Sequence, residues 1–260
     1  MLSFKKYFNI ILPFLLLYII LIVFSVFSVI LSLAFAFEYN KIDNIVLFTY
    51  SLFIIAVFYY WLKQNDHSII LFNFKFLVNW KLHLVLLILG ISIRLFQIGL
   101  INTILPIFEP ANIVKYNNVM ASYNQGNKLI NALELFIIAP ILEELVFRGM
   151  ILKKAKDVFP IIVSNLIQAS LFALYHMNLI QGVYTFISGM ILGYIVIYYG
   201  SIYASILLHS YLNLLGSLLQ HVKIIFEYKI ITMIVGAFLT MLILVLILKK
   251  DRINISQNET

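Results

Sequence analysis

Three groups of residues in the second half of the chain combine side chains that hydrolytic chemistry uses. Glu143, Glu144 and Arg148 form Glu-Glu-x-x-x-Arg, His176 follows Phe172 by four positions, and His209 and Asn213 form His-x-x-x-Asn. Carboxylates and imidazoles move protons, and imidazole or amide N–H groups stabilise an oxyanion. Together they could activate a water for hydrolysis. Residues four apart share a helix face, so Glu144 and Arg148 can form an ion pair. Glu143 points about 100° away on such a helix, which leaves its carboxylate free. His209 and Asn213 share a face for the same reason.

The surrounding chain is too apolar for a water-soluble carrier of these groups. Of its 260 residues, 63% are hydrophobic and 11% charged, against about 45–50% and about 25% in soluble domains. Residues 7–37, 229–248 and most of 128–152 are apolar runs of the roughly 18 residues or more that cross a bilayer. The pattern predicts an all-α fold: a polytopic transmembrane helical bundle of about eight helices, near 7–37, 45–62, 82–108, 128–156, 158–177, 179–199, 201–220 and 229–248. Residues 109–127 read as the longest polar connection and 249–260 as a polar tail. Three parts are expected: N-terminal transmembrane helices over 1–127, a catalytic core over 128–220, and a last helix with a cytoplasmic tail over 221–260. Lys5 and Lys6 precede an apolar run of 31 residues. That run is longer than a signal peptide's apolar region of about 7–15 residues, so it reads as a retained first helix.

Charge and composition narrow the function further. The net charge of +7 sits at helix ends, which points to membrane topology and not to nucleic acid. With the N-terminus inside, twelve Lys and Arg residues fall on inner segments and five on outer ones, which predicts cytoplasmic termini in the cell membrane. The absence of cysteine excludes disulfides, thiolate zinc sites and a cysteine nucleophile. Richness in Ile, Phe, Asn and Lys hints at a low-G+C bacterium.

An ionisable residue at the centre of a membrane helix costs roughly 2.5–3.5 kcal/mol on insertion scales, so such residues face cavities and partners. Glu143 and His176 are equidistant from Phe159-Pro160, where proline suits a turn. A hairpin folded there brings them to the same depth, side by side. The depth of His209 from its own nearby turn at Gly200-Ser201 then requires kinked or offset helices, or a fourth helix that projects beyond the bilayer. Outside these groups, Arg94 lies mid-span and is expected to pair with a carboxylate such as Glu134, which faces away from Glu143. His67, His83 and His221 lie near helix ends and read as interfacial.

In order and spacing, the groups Glu143–Glu144–Arg148, Phe172–His176 and His209–Asn213 resemble the three motifs of the CAAX-processing and bacteriocin-processing (CPBP, or Abi) family of intramembrane proteases. The likeness covers about residues 130–220. It implies hydrolysis of peptide bonds in membrane-associated peptides or proteins. In bacteria it implies a role in peptide maturation, bacteriocin self-immunity or signalling. On this reading Glu143 is the general base, His176 holds the same water, and His209 with Asn213 donates to the oxyanion. Glu144 and Arg148 support them, and Phe172 packs beside the site. Either no cofactor is needed, or Glu143, His176 and His209 bind Zn2+ as a metalloprotease would, one carboxylate and two imidazoles being a usual catalytic zinc set.

Other readings have less support. There is no His-Glu-x-x-His, and no Asp lies in an expected span, so zincin-like and aspartyl-dyad proteases are excluded. Ser188 with His209 lacks the glycine pattern of a rhomboid-type dyad, and Ser188 reads as a packing residue. A non-catalytic scaffold of the same family is opposed by the intact motifs. A small transporter is opposed by the concentration of polar residues in one half.

Overall fold

The computed structural model describes residues 2–35, 39–64, 78–104, 107, 110–122, 127–219 and 221–258. His67 and Pro106, with Asn124 and Gln125 of the expected polar connection, lie outside the described residues. The elements are α1 (Leu2–Phe35), α2 (Tyr39–Gln64), α3 (Trp80–Ile104) and α4 (Pro110–Ser122). An unbroken helical run over 128–156 is α5. It is followed by α6 (Ile161–Tyr175), α7 (Leu179–Tyr199), α8 (Ile202–Leu219), α9 (Lys223–Glu227) and α10 (Lys229–Asn258). Among the described residues there is no strand.

Six of these helices contain stretches long and apolar enough to cross a membrane: 4–34, 45–64, 80–104, 179–199, 202–219 and 229–247. The chain is a multi-pass membrane protein. Two of the eight expected helices differ from simple spans. α6 has only 15 residues, and α5 switches twice into π-helix, over Glu134–Ile138 and Glu144–Leu152. α1 and α10 turn mostly apolar, exposed side chains outward, among them Ile22, Val23, Phe238 and Met241. That is the surface a lipid-facing helix presents. Within the polar connection residues 110–122 form α4, and a short helix, α9, precedes the last span.

Local sequence explains where the site-bearing helices start and stop. The Asn127 side chain accepts from the N–H groups of Leu129 and Ile130 and caps α5, while Asn178 accepts from Gln181 and caps α7. Such caps satisfy amides that have no partner within the helix. Pro160 opens α6, so the turn at Phe159-Pro160 is the hairpin that the sequence predicts. Gly200 ends α7 at φ 62°, the left-handed conformation glycine adopts without steric cost.

Two apolar clusters flank the centre. One joins α1 and α2 to α5 and α6, through Leu17, Tyr50, Phe58, Phe147 and Met150. The other joins α3 and α10 to α7 and α8, through Leu86, Leu89, Leu192, Leu208 and Ile247. The polar groups of α5 and α8 lie in the seam between the clusters. α4 packs over α3 and the start of α7 through Ile113 and Tyr116, which meet Ile101, Ile180 and Tyr184.

Candidate active site

α5 carries the acidic half of the site, and its irregularity has a local cause. Within the first π-helical stretch the N–H of Ala139 bonds to Glu134 O. In the same register Leu135 O awaits the N–H of residue 140, which is a proline and has none. Asn213 of α8 supplies the donor: its Nδ2 lies 2.8 Å from Leu135 O. One N–H of the motif asparagine therefore ties α8 to the break in α5, and its second N–H remains for other use.

Glu144 is the most enclosed group of the cluster. Its side chain has no exposed surface, and Oε1 accepts from Arg148 Nη1 and from His209 Nδ1, each at 2.8 Å. Oε2 accepts from the Ser205 hydroxyl. Three donors thus converge on one carboxylate, which suits an ionised acceptor. Arg148 continues the network. Its Nη2 reaches Gly189 O at 3.3 Å, and its guanidinium lies 4.4 Å over the Phe172 ring. The ion pair expected from the spacing of Glu144 and Arg148 is present and buried.

Glu143 differs in kind from its neighbour. It makes no hydrogen bond to the described protein, and its side chain is 12% exposed. Its Oε2 lies 3.6 Å from His209 Nε2. The two consecutive glutamates therefore bracket one imidazole: Glu144 holds Nδ1 and Glu143 stands near Nε2. His176 caps the end of α6, where its Nδ1–H donates to Phe172 O at 2.9 Å. A carbonyl only accepts, so this bond places the proton on Nδ1 and leaves Nε2 as an acceptor. The Phe172 ring touches both imidazoles edge-on, with centroids 4.9 Å from His176 and 5.8 Å from His209.

The hairpin register agrees with that placement. Phe147 meets Phe172 at 5.1 Å between centroids, and Arg148 also covers Phe172. The Phe147–Phe172 pair preserves the register that sets 143 opposite 176, and Arg148 is offset from it by one residue. Contact between His176 and the rest of the cluster runs through Phe172. A zinc site would need Glu143, His176 and His209 to converge on one point. Among the described residues, no three His, Cys, Asp or Glu side chains form such a group. The arrangement therefore does not fit a metal held by these three residues.

Other residues are placed differently from expectation or were missed. Arg94 does not pair with Glu134. Its Nε donates to Leu212 O at 2.5 Å and its Nη1 to Gln97 Oε1 at 3.1 Å, whereas Glu134 accepts from Ser51 of α2 at 2.5 Å. The two residues face different neighbours in the bundle, which their positions along the chain do not reveal. Ser188 donates to Tyr184 O and accepts from Gln97, so no Ser188–His209 dyad forms. His83 is held by the Tyr211 hydroxyl at 2.7 Å. Ser205 was missed, although it sits one turn before His209 on the same face of α8.

In this multi-pass helical protein, two adjacent glutamates thus stand at the two nitrogens of one interior histidine. Residues 125–215 match the family model described as Rce1-like, type II CAAX prenyl endopeptidase, which supports the likeness to the CPBP intramembrane proteases. The match spans about a third of the chain and contains every motif residue of the site. No curated protein and no solved structure matches the sequence.

Proposed function

We propose that the chain is an intramembrane endopeptidase that hydrolyses membrane-associated peptides with a water activated by Glu143. One observation carries this reading. Glu143 is a carboxylate without a hydrogen bond among the described residues, 3.6 Å from the Nε2 of a histidine whose other nitrogen is pinned by Glu144. Activation of a nucleophile needs a base that is free to accept a proton beside a group of fixed orientation. In this mechanism Glu143 takes a proton from water, and the hydroxide oxygen bonds to the scissile carbonyl carbon. His209 Nε2, when protonated, and the second N–H of Asn213 stabilise the oxyanion. Collapse breaks the C–N bond, and Glu143 returns its proton to the leaving amine. His176 Nε2 accepts a hydrogen bond from the same water across the hairpin.

The family match supports CAAX-type endopeptidase activity as the reaction class. In this reading the mechanism is metal-free and both termini face the cytoplasm, as the Lys and Arg bias argues. The test uses purified protein in lipid nanodiscs and a quenched S-farnesyl peptide that extends three residues beyond the farnesylcysteine. Wild type is expected to cleave it, with Glu143→Gln inactive and phenanthroline without effect. Cleavage by Glu143→Gln at the wild-type rate overturns the role of Glu143, and loss of activity restored by added zinc overturns the metal-free mechanism.

A further inference from the structure

The network around Arg148 extends past the three motifs to a polar cluster between α6 and α7. Arg148 Nη2 bonds to Gly189 O at 3.3 Å, and the same carbonyl accepts from Gln168 Nε2 of α6 at 2.8 Å. Gln168 has no exposed surface. Its amide orientation is fixed, because Nε2 also donates to Asn165 Oδ1 at 2.6 Å. Turning the amide over would set its oxygen against both acceptors. Asn165 is itself tied to α7, where its Nδ2 donates to Met190 O at 3.0 Å. α7 makes room for the amide with a glycine: a Cβ on Gly193 would stand 2.6 Å from Gln168 Nε2. Packing alone does not account for a glutamine here. Its Oε1 is enclosed and has no partner among the described residues. That arrangement costs stability, and a leucine of similar size would avoid it.

The shared carbonyl links this amide to the site. Arg148 Nε is enclosed without a partner among the described residues, so the guanidinium is held by its two terminal nitrogens, Nη1 on Glu144 and Nη2 on Gly189. It also lies over the Phe172 ring. Phe172 and Gln168 are four apart on α6 and share a face. The slot that receives the guanidinium thus has a wall from α6, the Phe172 ring, and a wall from α7, the Gly189 carbonyl. Gln168 joins the two walls. We propose that Gln168 is a positioning residue: its amide fixes the width of this slot, so that Arg148 holds Glu144, and Glu144 holds the His209 ring, in one orientation. The line runs through four helices, from Gln168 of α6 to Gly189 of α7, Arg148 and Glu144 of α5, and His209 Nδ1 of α8. Buried hydrogen-bond chains of this kind act as a unit, so loss at one end is felt at the other.

This inference rests on the proteolytic reading of the site, so activity and ring geometry are measured separately. Cleavage of the quenched S-farnesyl peptide is followed in lipid nanodiscs. The His209 ring is followed by 15N solid-state NMR of histidine-labelled protein, with His209→Gln assigning its signals. Gln168→Leu is expected to lower kcat about 10²-fold, the cost of a misplacement of about 1 Å, with KM within about twofold of wild type. Its unfolding temperature should stay at the wild-type value, and its His209 Nδ1 signal should shift or split. Gly193→Ala, which keeps the amide but displaces it, should reproduce both changes, so the result does not depend on one variant folding. Lysine lacks the fork that reaches two acceptors, so in an Arg148→Lys background Gln168→Leu should lower kcat no further. Wild-type kcat in Gln168→Leu, a fall in kcat matched by a fall in unfolding temperature, an unchanged His209 signal, or additive effects in the double variant overturns the proposal and leaves the protease reading standing. A shifted His209 signal in Gln168→Leu, together with no cleavage by wild type, would uphold the positioning role and sink the protease reading alone.

Discussion

His209 touches two carboxylates, and they do different work. Glu144 is saturated by Arg148, His209 and Ser205, whereas Glu143 makes no hydrogen bond among the described residues. Glu143→Gln should therefore lower kcat by roughly 10²–10⁴-fold, the usual size of a general-base contribution, while thermal unfolding in detergent stays within about 0.5 kcal/mol of wild type. Arg148→Met should do the reverse first. It leaves Glu144 buried without its cation and should cost about 3–5 kcal/mol, read as a large fall in unfolding temperature. Much of this site is legible in sequence, because Glu144–Arg148 and His209–Asn213 obey helix spacing. Ser205 follows the same four-residue rule from His209, but a hydroxyl residue in an apolar helix is too common to single out. The partner of Arg94 is not legible at all, since backbone carbonyls and an amide can satisfy a guanidinium as well as a carboxylate can.

The π-helical break in α5 depends on a proline and an asparagine, Pro140 and Asn213, that are 73 residues apart in sequence though not in space. Asn213→Leu removes the donor to Leu135 O and should destabilise the protein by about 1–3 kcal/mol, the penalty of a buried unpaired polar group. Pro140→Ala restores an N–H at the position that faces Leu135 O, so adding it to Asn213→Leu should recover most of that loss. Chemical or thermal unfolding of both single variants and the double variant measures the coupling, and additive effects would exclude this account. The hairpin between α5 and α6 is readable from Phe159-Pro160, and so is its register. The π-turns are not, because they arise where tertiary contacts replace the helix's own hydrogen bonds.

At the scale of the molecule, α5 to α8 are clamped between α1–α2 on one side and α3–α10 on the other. The second clamp needs close helix approach: a Cβ on Gly236 would lie 2.2 Å from the Phe96 backbone nitrogen. Gly236→Leu should force α10 from α3 and cost about 1–3 kcal/mol or more, read by thermal unfolding in detergent. The membrane class follows from composition, whereas α5 and α6, two of the eight expected helices, are not among the six long apolar spans. α4 does not follow from composition, because its short, mixed-polarity sequence is ordered by packing over α3 and α7 and carries no strong apolar stripe of its own. The central claim is hydrolysis at Glu143, and its most direct test is a comparison of membrane-associated peptide termini by mass spectrometry. Cells would carry equal amounts of wild-type protein or Glu143→Ala. The account predicts termini that appear only with wild type; identical sets of termini, with the wild-type phenotype retained in the variant, would contradict it.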